Sequence, residues 1–352
     1  MALITVGAGR CWQYSHTLGR RQTAGTGFSR PVAVGLGNDG VLFVANRGAP
    51  RISKVTVDEE FLTEFGRGGQ DEGQFVYLTA VAVDQDENVY TADEWLHRIT
   101  VFDQDGTLLQ TWGEPGEGEG QLNGPAGLAF DAAGNLVVVN SLNSRIQKFT
   151  REGQYLGGFG TKGSGEAELD LPWGIAIDNQ DNIYVADWNN HRVQKFSPEG
   201  DHLLTFGSGE PTGVARDGST PYAHATVANI GVKPSDLNHP TDVAVDADGD
   251  VYVVDWMNER VVIFDYSANP VATLRGDSHE LSPWAQMTLA ANPDLETARR
   301  RVKNPEIQNY FRMPVGCTYD QANDRLIVAD TQHCRLQVYV KDRNYLEPQL
   351  NL

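Results

Sequence analysis

The sequence predicts an all-β protein in which a four-stranded antiparallel unit recurs six times within one domain spanning residues 1–352. The first observation is the stretch LPWGIAIDNQDNIYVADWNNHRVQKFSPEGDHLLTFG, from Leu171 to Gly207. It holds four short apolar runs rich in β-branched and aromatic residues, each separated from the next by Asn, Asp, Gly or Pro, which is the pattern of a meander. The second is that the unit opens in register six times, at Pro31, Leu78, Pro125, Pro172, Pro240 and Pro314, at intervals of 47, 47, 47, 68 and 74 residues. The third is that the end of the second strand, at Asn46, Asp93, Asn140, Asp187, Asp255 and Asp330, is always followed five residues later by arginine: Arg51, Arg98, Arg145, Arg192, Arg260 and Arg335. A fixed period of this length means stacked modules that share one framework, so the chain length does not imply two domains.

This pattern resembles the NHL repeat family, whose unit runs approximately P-x-G-I-A-V-D, N-I-Y-V-A-D, N-H-R-I-Q-V-F and a strand ending in F-G. Pro172 to Phe196, with Asn190, His191 and Arg192, is the nearest match. The resemblance implies a six-bladed β-propeller. The sixth unit lacks its F-G ending, while Tyr14, His16 and Leu18 alternate up to Gly19 at the other terminus and GTGFSRP repeats the linker pattern. The N-terminal segment is therefore expected to be the outer strand of the last blade, closing the ring and leaving only short edges. Two insertions, 208–239 and 277–313, break the period. Connections alternate between the ends of a meander, so both are expected on one face, around the pore mouth. In the second, Ser282 can cap a helix with Pro283 at its first position, and Glu296 and Arg300 are spaced for an i,i+4 pair.

Composition narrows the function. The net charge of −19 is distributed along the chain, which repels polyanions and argues against nucleic acid. The run Arg299, Arg300, Arg301 is equally suited to a solvated helix face. Cys11, Cys317 and Cys334 have no CxxC spacing and their odd number cannot all pair, as in reduced thiols of a cytoplasmic protein. No apolar run approaches a membrane span, and the first residues hold no signal-peptide core.

Catalytic motifs are scarce. Gly35, Gly37 and Gly40 match a dinucleotide fingerprint but lie between strands and open no helix. Asp246, Asp248 and Asp250 suggest calcium, yet Val251 and Met257 stand where an EF-hand loop needs glycine and glutamate, so a tight turn is the reading. The related peptidyl-α-hydroxyglycine amidating lyases carry zinc-binding histidines just after the opening proline of three blades. Val32, Thr79, Ala126, Trp173, Thr241 and Val315 hold that place here, so the resemblance does not extend to that zinc chemistry, and no metal ligands or cofactor are assigned. The Asp–Arg pairs, and His97 and His191 beside the arginine, are read as structural.

What remains is a group of unusual side chains assigned to the loop face. Trp173 is placed at the pore, and Trp188 and Trp256 share one slot in adjacent turns, with Trp95 one position further on. The insertions add Tyr222, His224, Lys233, His239, Trp284, Tyr310 and Arg312. Asp242 replaces the glycine of several other blades and is expected to point into the channel. Two functions fit. One is a scaffold binding a protein, peptide or small molecule, with Trp173, Trp188, Tyr222, Trp256, Trp284 and Tyr310 as contacts. The alternative is a lyase or hydrolase with a pocket under the insertions, where His224 or His239 is acid or base and Asp242 or Arg312 orients the substrate.

Overall fold

The computed structural model describes residues 4–208, 233–343 and 345. Each unit forms an antiparallel sheet, and the six sheets stand around a central channel as the blades of a propeller. The innermost strands are Pro31–Leu36, Leu78–Val83, Pro125–Phe130, Ile175–Ile177, Pro240–Val245 and Gly316–Asp320. Each touches the next, and the last touches the first. Second strands such as Val89–Asp93 and Ile183–Asp187 are buried along their whole length, because both faces of a blade are covered by neighbours and apolar burial returns roughly 25 cal/mol per Å².

The last sheet has five strands, in the order Ile4–Gly7, Arg10–Leu18, Arg335–Asp342, Arg325–Asp330, Gly316–Asp320. The sequence reading ended this blade at the strand through Tyr14 and Leu18; one more strand lies outside it. The physical reason is local. Ala8 and Gly9 both take positive φ (51° and 77°) between the paired residues Gly7 and Arg10, the geometry that a two-residue hairpin needs.

The repeated Asp or Asn closes each blade onto the linker before it. Its side-chain oxygen accepts a backbone N–H from Ser29, Val76, Asn123, Asp170, Asn238 or Arg312 at 2.7–2.8 Å in the six blades. Only an acceptor is required, which is why Asn46 and Asn140 serve as well as the aspartates. The repeated arginines grip the same linkers. Arg98 donates to the carbonyls of Gln70, Asp71 and Gln74, and Arg192 to those of Gly165 and Glu168. Arg260 holds Lys233 and Asp236 at the end of the first insertion, and Arg335 holds Gln308 and Tyr310 in the second. An Asp–Arg ion pair also forms in three blades, at 2.7–2.8 Å, for Arg192, Arg260 and Arg335. The planar fork of arginine, able to reach several carbonyls at once, explains its recurrence better than the ion pair does.

The second insertion contains two helices, α1 (Pro283–Ala291) and α2 (Pro293–Arg300). Ser282 caps α1 by accepting from the Ala285 N–H, with Pro283 in the first turn, and Glu296 pairs with Arg300 at 2.6 Å. α1 is fastened where the sixth and first blades meet. Trp284 packs there with Leu18, Phe28 and Val57, and its backbone N–H donates to Glu59.

Asp246, Asp248 and Asp250 form the turn expected of them, with Asp246 accepting from the N–H groups of Asp248 and Asp250. The place a cation would take among their carboxylates is filled from another blade by the fully buried Lys341 ammonium, at 2.5, 2.8 and 2.8 Å. Arg10 also reaches Asp250, at 2.8 Å. No helix among the described residues is long and apolar enough to cross a membrane.

Candidate functional site

The innermost strands line a channel of about 540 Å³. Their second residues include Trp173, and their third residues form a ring of Ala33, Ala80, Gly127, Gly174, Asp242 and Gly316. Small residues are imposed by how closely the strands converge. A Cβ on Gly127 would lie 2.6 Å from the Trp173 carbonyl oxygen, and one on Gly316 would lie 2.3 Å from that of Val32.

Asp242 breaks the ring. Its carboxylate lies over Gly174, whose missing Cβ would come within 2.3 Å of it. Oδ2 accepts from the Cys317 N–H of the next blade and Oδ1 from the N–H of Val243, both at 2.9 Å. Burial against the channel wall pushes its pKa up to about 7, although both N–H bonds favour the anion; desolvation outweighs two backbone donors. Asp242 therefore carries an exchangeable proton near neutrality.

Above this ring, the first residue of the turn between second and third strands reaches the opening of the next blade in the first, second, fourth and sixth blades. The slot holds Arg47, Glu94, Ser141, Trp188, Trp256 and Thr331. Arg47 donates from Nε to the Leu78 carbonyl and from Nη1 to the Tyr77 hydroxyl, and its guanidinium lies 4.1 Å from the Tyr77 ring centroid. It also approaches the Trp173 ring, at 5.7 Å, although Trp173 belongs to the fourth blade, opposite the first. Thr331 donates to the Pro31 carbonyl. Trp188 lies 4.3 Å from the His239 ring and 6.4 Å from Trp256, and His239 packs edge-on against His191 at 4.3 Å. The mouth is thus divided, with opposite charges, Arg47 and Glu94, on the turns of the first and second blades and an aromatic cluster on those of the fourth and fifth. Burial raises the Glu94 carboxyl above its usual range and lowers the Arg47 guanidinium, and each charge partly offsets the shift of the other.

The residues singled out in the sequence divide accordingly. Trp173 and Asp242 line the channel, and Trp188, Trp256 and His239 pack together at the turns of the fourth and fifth blades. Among the described residues, His239 bonds to His191 and Asn238 and Asp242 to Cys317 and Val243, with no bond between the two. Trp284 is a packing residue, 6% exposed in the core at the rim. Arg312 lines a separate cavity with Glu259, Phe311 and His333, between the second insertion and the turns of the fifth and sixth blades. Tyr310 is 36% exposed and lends its carbonyl to Arg335; Lys233 is exposed and does the same for Arg260. Tyr222 and His224 lie outside the described residues. Sequence reasoning missed Arg47 and Glu94, although they occupy the slot that drew attention to Trp188 and Trp256.

Comparison with known proteins agrees with this architecture. Residues 122–149, 169–196 and 237–264 match the family model of the NHL repeat. Three of its units thus match the NHL repeat, and its six sheets are arranged as a six-bladed β-propeller. No curated protein sequence matches it. Among solved structures, it is similar to a protein of unknown function from Bacteroides thetaiotaomicron, at 17% identity and a TM-score of 0.60 over 95% of this chain and 76% of that one. It is also similar to virginiamycin B lyase from Staphylococcus aureus, at 11% identity and a TM-score of 0.56 over 94% and 99% of the two chains. A gluconolactonase from Xanthomonas campestris gives 14% identity and a TM-score of 0.58 over 95% and 90%. At these identities the likeness establishes the fold alone.

Proposed function

We propose that this propeller binds a small molecule or a peptide at the mouth of its channel, on the face that carries the turns between second and third strands. The observation that supports this most is the convergence of Arg47, Glu94, Trp173, Trp188 and Trp256 over a channel whose wall carries Asp242. A concave site with aromatic surface and a few fixed polar groups is the usual form of a ligand pocket. Indole faces supply apolar contact while their N–H groups give direction. A screen of small molecules and short peptides by ligand-observed NMR should give hits that are lost in Trp173→Ala. Hits insensitive to Trp173→Ala and to Trp188→Ala would place binding elsewhere and overturn the reading.

A lyase or hydrolase reading is favoured by one group, Asp242, because a carboxyl with a pKa near 7 suits proton transfer at neutral pH. Propellers of similar fold include a lyase and a gluconolactonase, which is compatible with binding or with turnover. If the site is catalytic, Asp242→Asn should still bind a compound that the native chain consumes, while consuming it at least about a hundredfold more slowly.

A further inference from the structure

Besides the Thr241 hydroxyl, which lines the channel, three buried polar atoms at the channel mouth have no hydrogen-bond partner among the described residues: Arg47 Nη2, Trp173 Nε1 and Glu94 Oε2. Buried polar atoms in folded proteins are nearly always paired, so each one calls for a partner. Two of them are donors, one charged, on side chains that approach each other across the mouth. The third is an acceptor on the neighbouring turn, near enough to Arg47 for the two charges to affect each other. Arg47 is built as a receptor rather than as a solvated cation. Its Nε and Nη1 are committed to Leu78 and Tyr77 and its plane rests on the Tyr77 ring, which leaves Nη2 fixed in direction. Asp93, the other carboxylate beside it, is saturated by the N–H groups of Val76, Tyr77, Trp95 and Leu96. Glu94 is therefore the acceptor left for a ligand.

We propose that the mouth selects a small zwitterion, the class of free α-amino acids, with its carboxylate on Arg47 Nη2 and Trp173 Nε1, its ammonium on Glu94, and an apolar or aromatic side chain against Trp188 and Trp256. This rests on the reading of the mouth as a ligand site and adds the charge pattern of the ligand. An anion without a cation leaves Glu94 unpaired beside a new negative charge. A cation without an anion leaves the guanidinium and indole donors unpaired. A zwitterion satisfies all three atoms and keeps the site neutral, and charge-assisted hydrogen bonds are the ones that discriminate most.

The test is calorimetric titration of the whole chain with the twenty proteinogenic amino acids, each binder then compared with its N-acetyl and carboxamide derivatives. At least one free amino acid with an apolar or aromatic side chain should bind, and each derivative should bind at least about tenfold more weakly, the cost of one lost charged contact. Arg47→Gln and Glu94→Gln should each weaken the free amino acid about tenfold or more. Glu94→Gln preserves shape, and with the derivative series it decides the matter even if Arg47→Gln fails to fold. Derivatives that bind as tightly as the parent, with binding still lost in Trp173→Ala, overturn the zwitterion and leave the ligand site standing. Failure of all free amino acids overturns the zwitterion; if a wider library also gives no hit dependent on Trp173, the ligand site falls with it.

Discussion

Asp242→Asn is expected to make the protein more stable than the native chain at pH 8, by up to about 4 kcal/mol, and close to equal at pH 4. In the folded chain the carboxyl keeps its proton until about pH 7, whereas an unfolded aspartate releases it near ~3.9. Between these values the folded state binds more protons than the unfolded one, so the contribution of Asp242 to stability falls as pH rises through that window. Asparagine carries no charge, still offers one oxygen to the Cys317 N–H and removes this dependence. Urea unfolding of both chains across pH 4–8 measures the difference directly, since contributions of other titrating groups cancel. A stability difference that stays constant across the range would show that the carboxyl is not held neutral by its surroundings.

Lys341→Met should cost about 3–5 kcal/mol, the range for removing one partner of a buried ion cluster. The ammonium is fully buried among Asp246, Asp248 and Asp250, and Asp246 also accepts from the Tyr252 hydroxyl at 2.8 Å. Methionine fills most of the volume and leaves three carboxylates close together, with Arg10 on Asp250 and the more exposed Arg343 on Asp248 at 3.3 Å as the cations opposite. The cluster joins the third strand of the sixth blade to the first turn of the fifth, so the loss should appear in global unfolding. A change below about 1 kcal/mol in denaturant titration would mean that the carboxylates pick up protons or solvent without penalty.

The architecture was legible because the stabilising contacts recur at fixed spacing. Asp or Asn at the end of the second strand and arginine five residues later each perform the same task in every blade, and proline opens five of the six. What the sequence could not show was the partner of that arginine, because linker carbonyls are backbone groups and leave no residue signature. Asp242 was visible as a carboxylate in a slot of small residues, and Trp188 and Trp256 as aromatics in a turn. Arg47 and Glu94 sit in that turn slot too, but a charged residue in a turn reads as solvated, and only the inward lean of the turn over the next blade buries it. Trp284 differs in the opposite sense: in a long insertion it read as a ligand contact, whereas α1 folds back and packs it against Phe28. Lys341 lies 95 residues from Asp246, and no local pattern links them.

Binding at the Arg47–Trp173 side of the channel mouth can be followed through the indole Nε1–H signals of the seven tryptophans during titration with a binding amino acid. The Trp173 signal should move the most, with smaller shifts for Trp188 and Trp256, while those of Trp12 and Trp284, buried in the core, stay in place. Saturable binding that leaves the Trp173 signal unmoved would contradict the account.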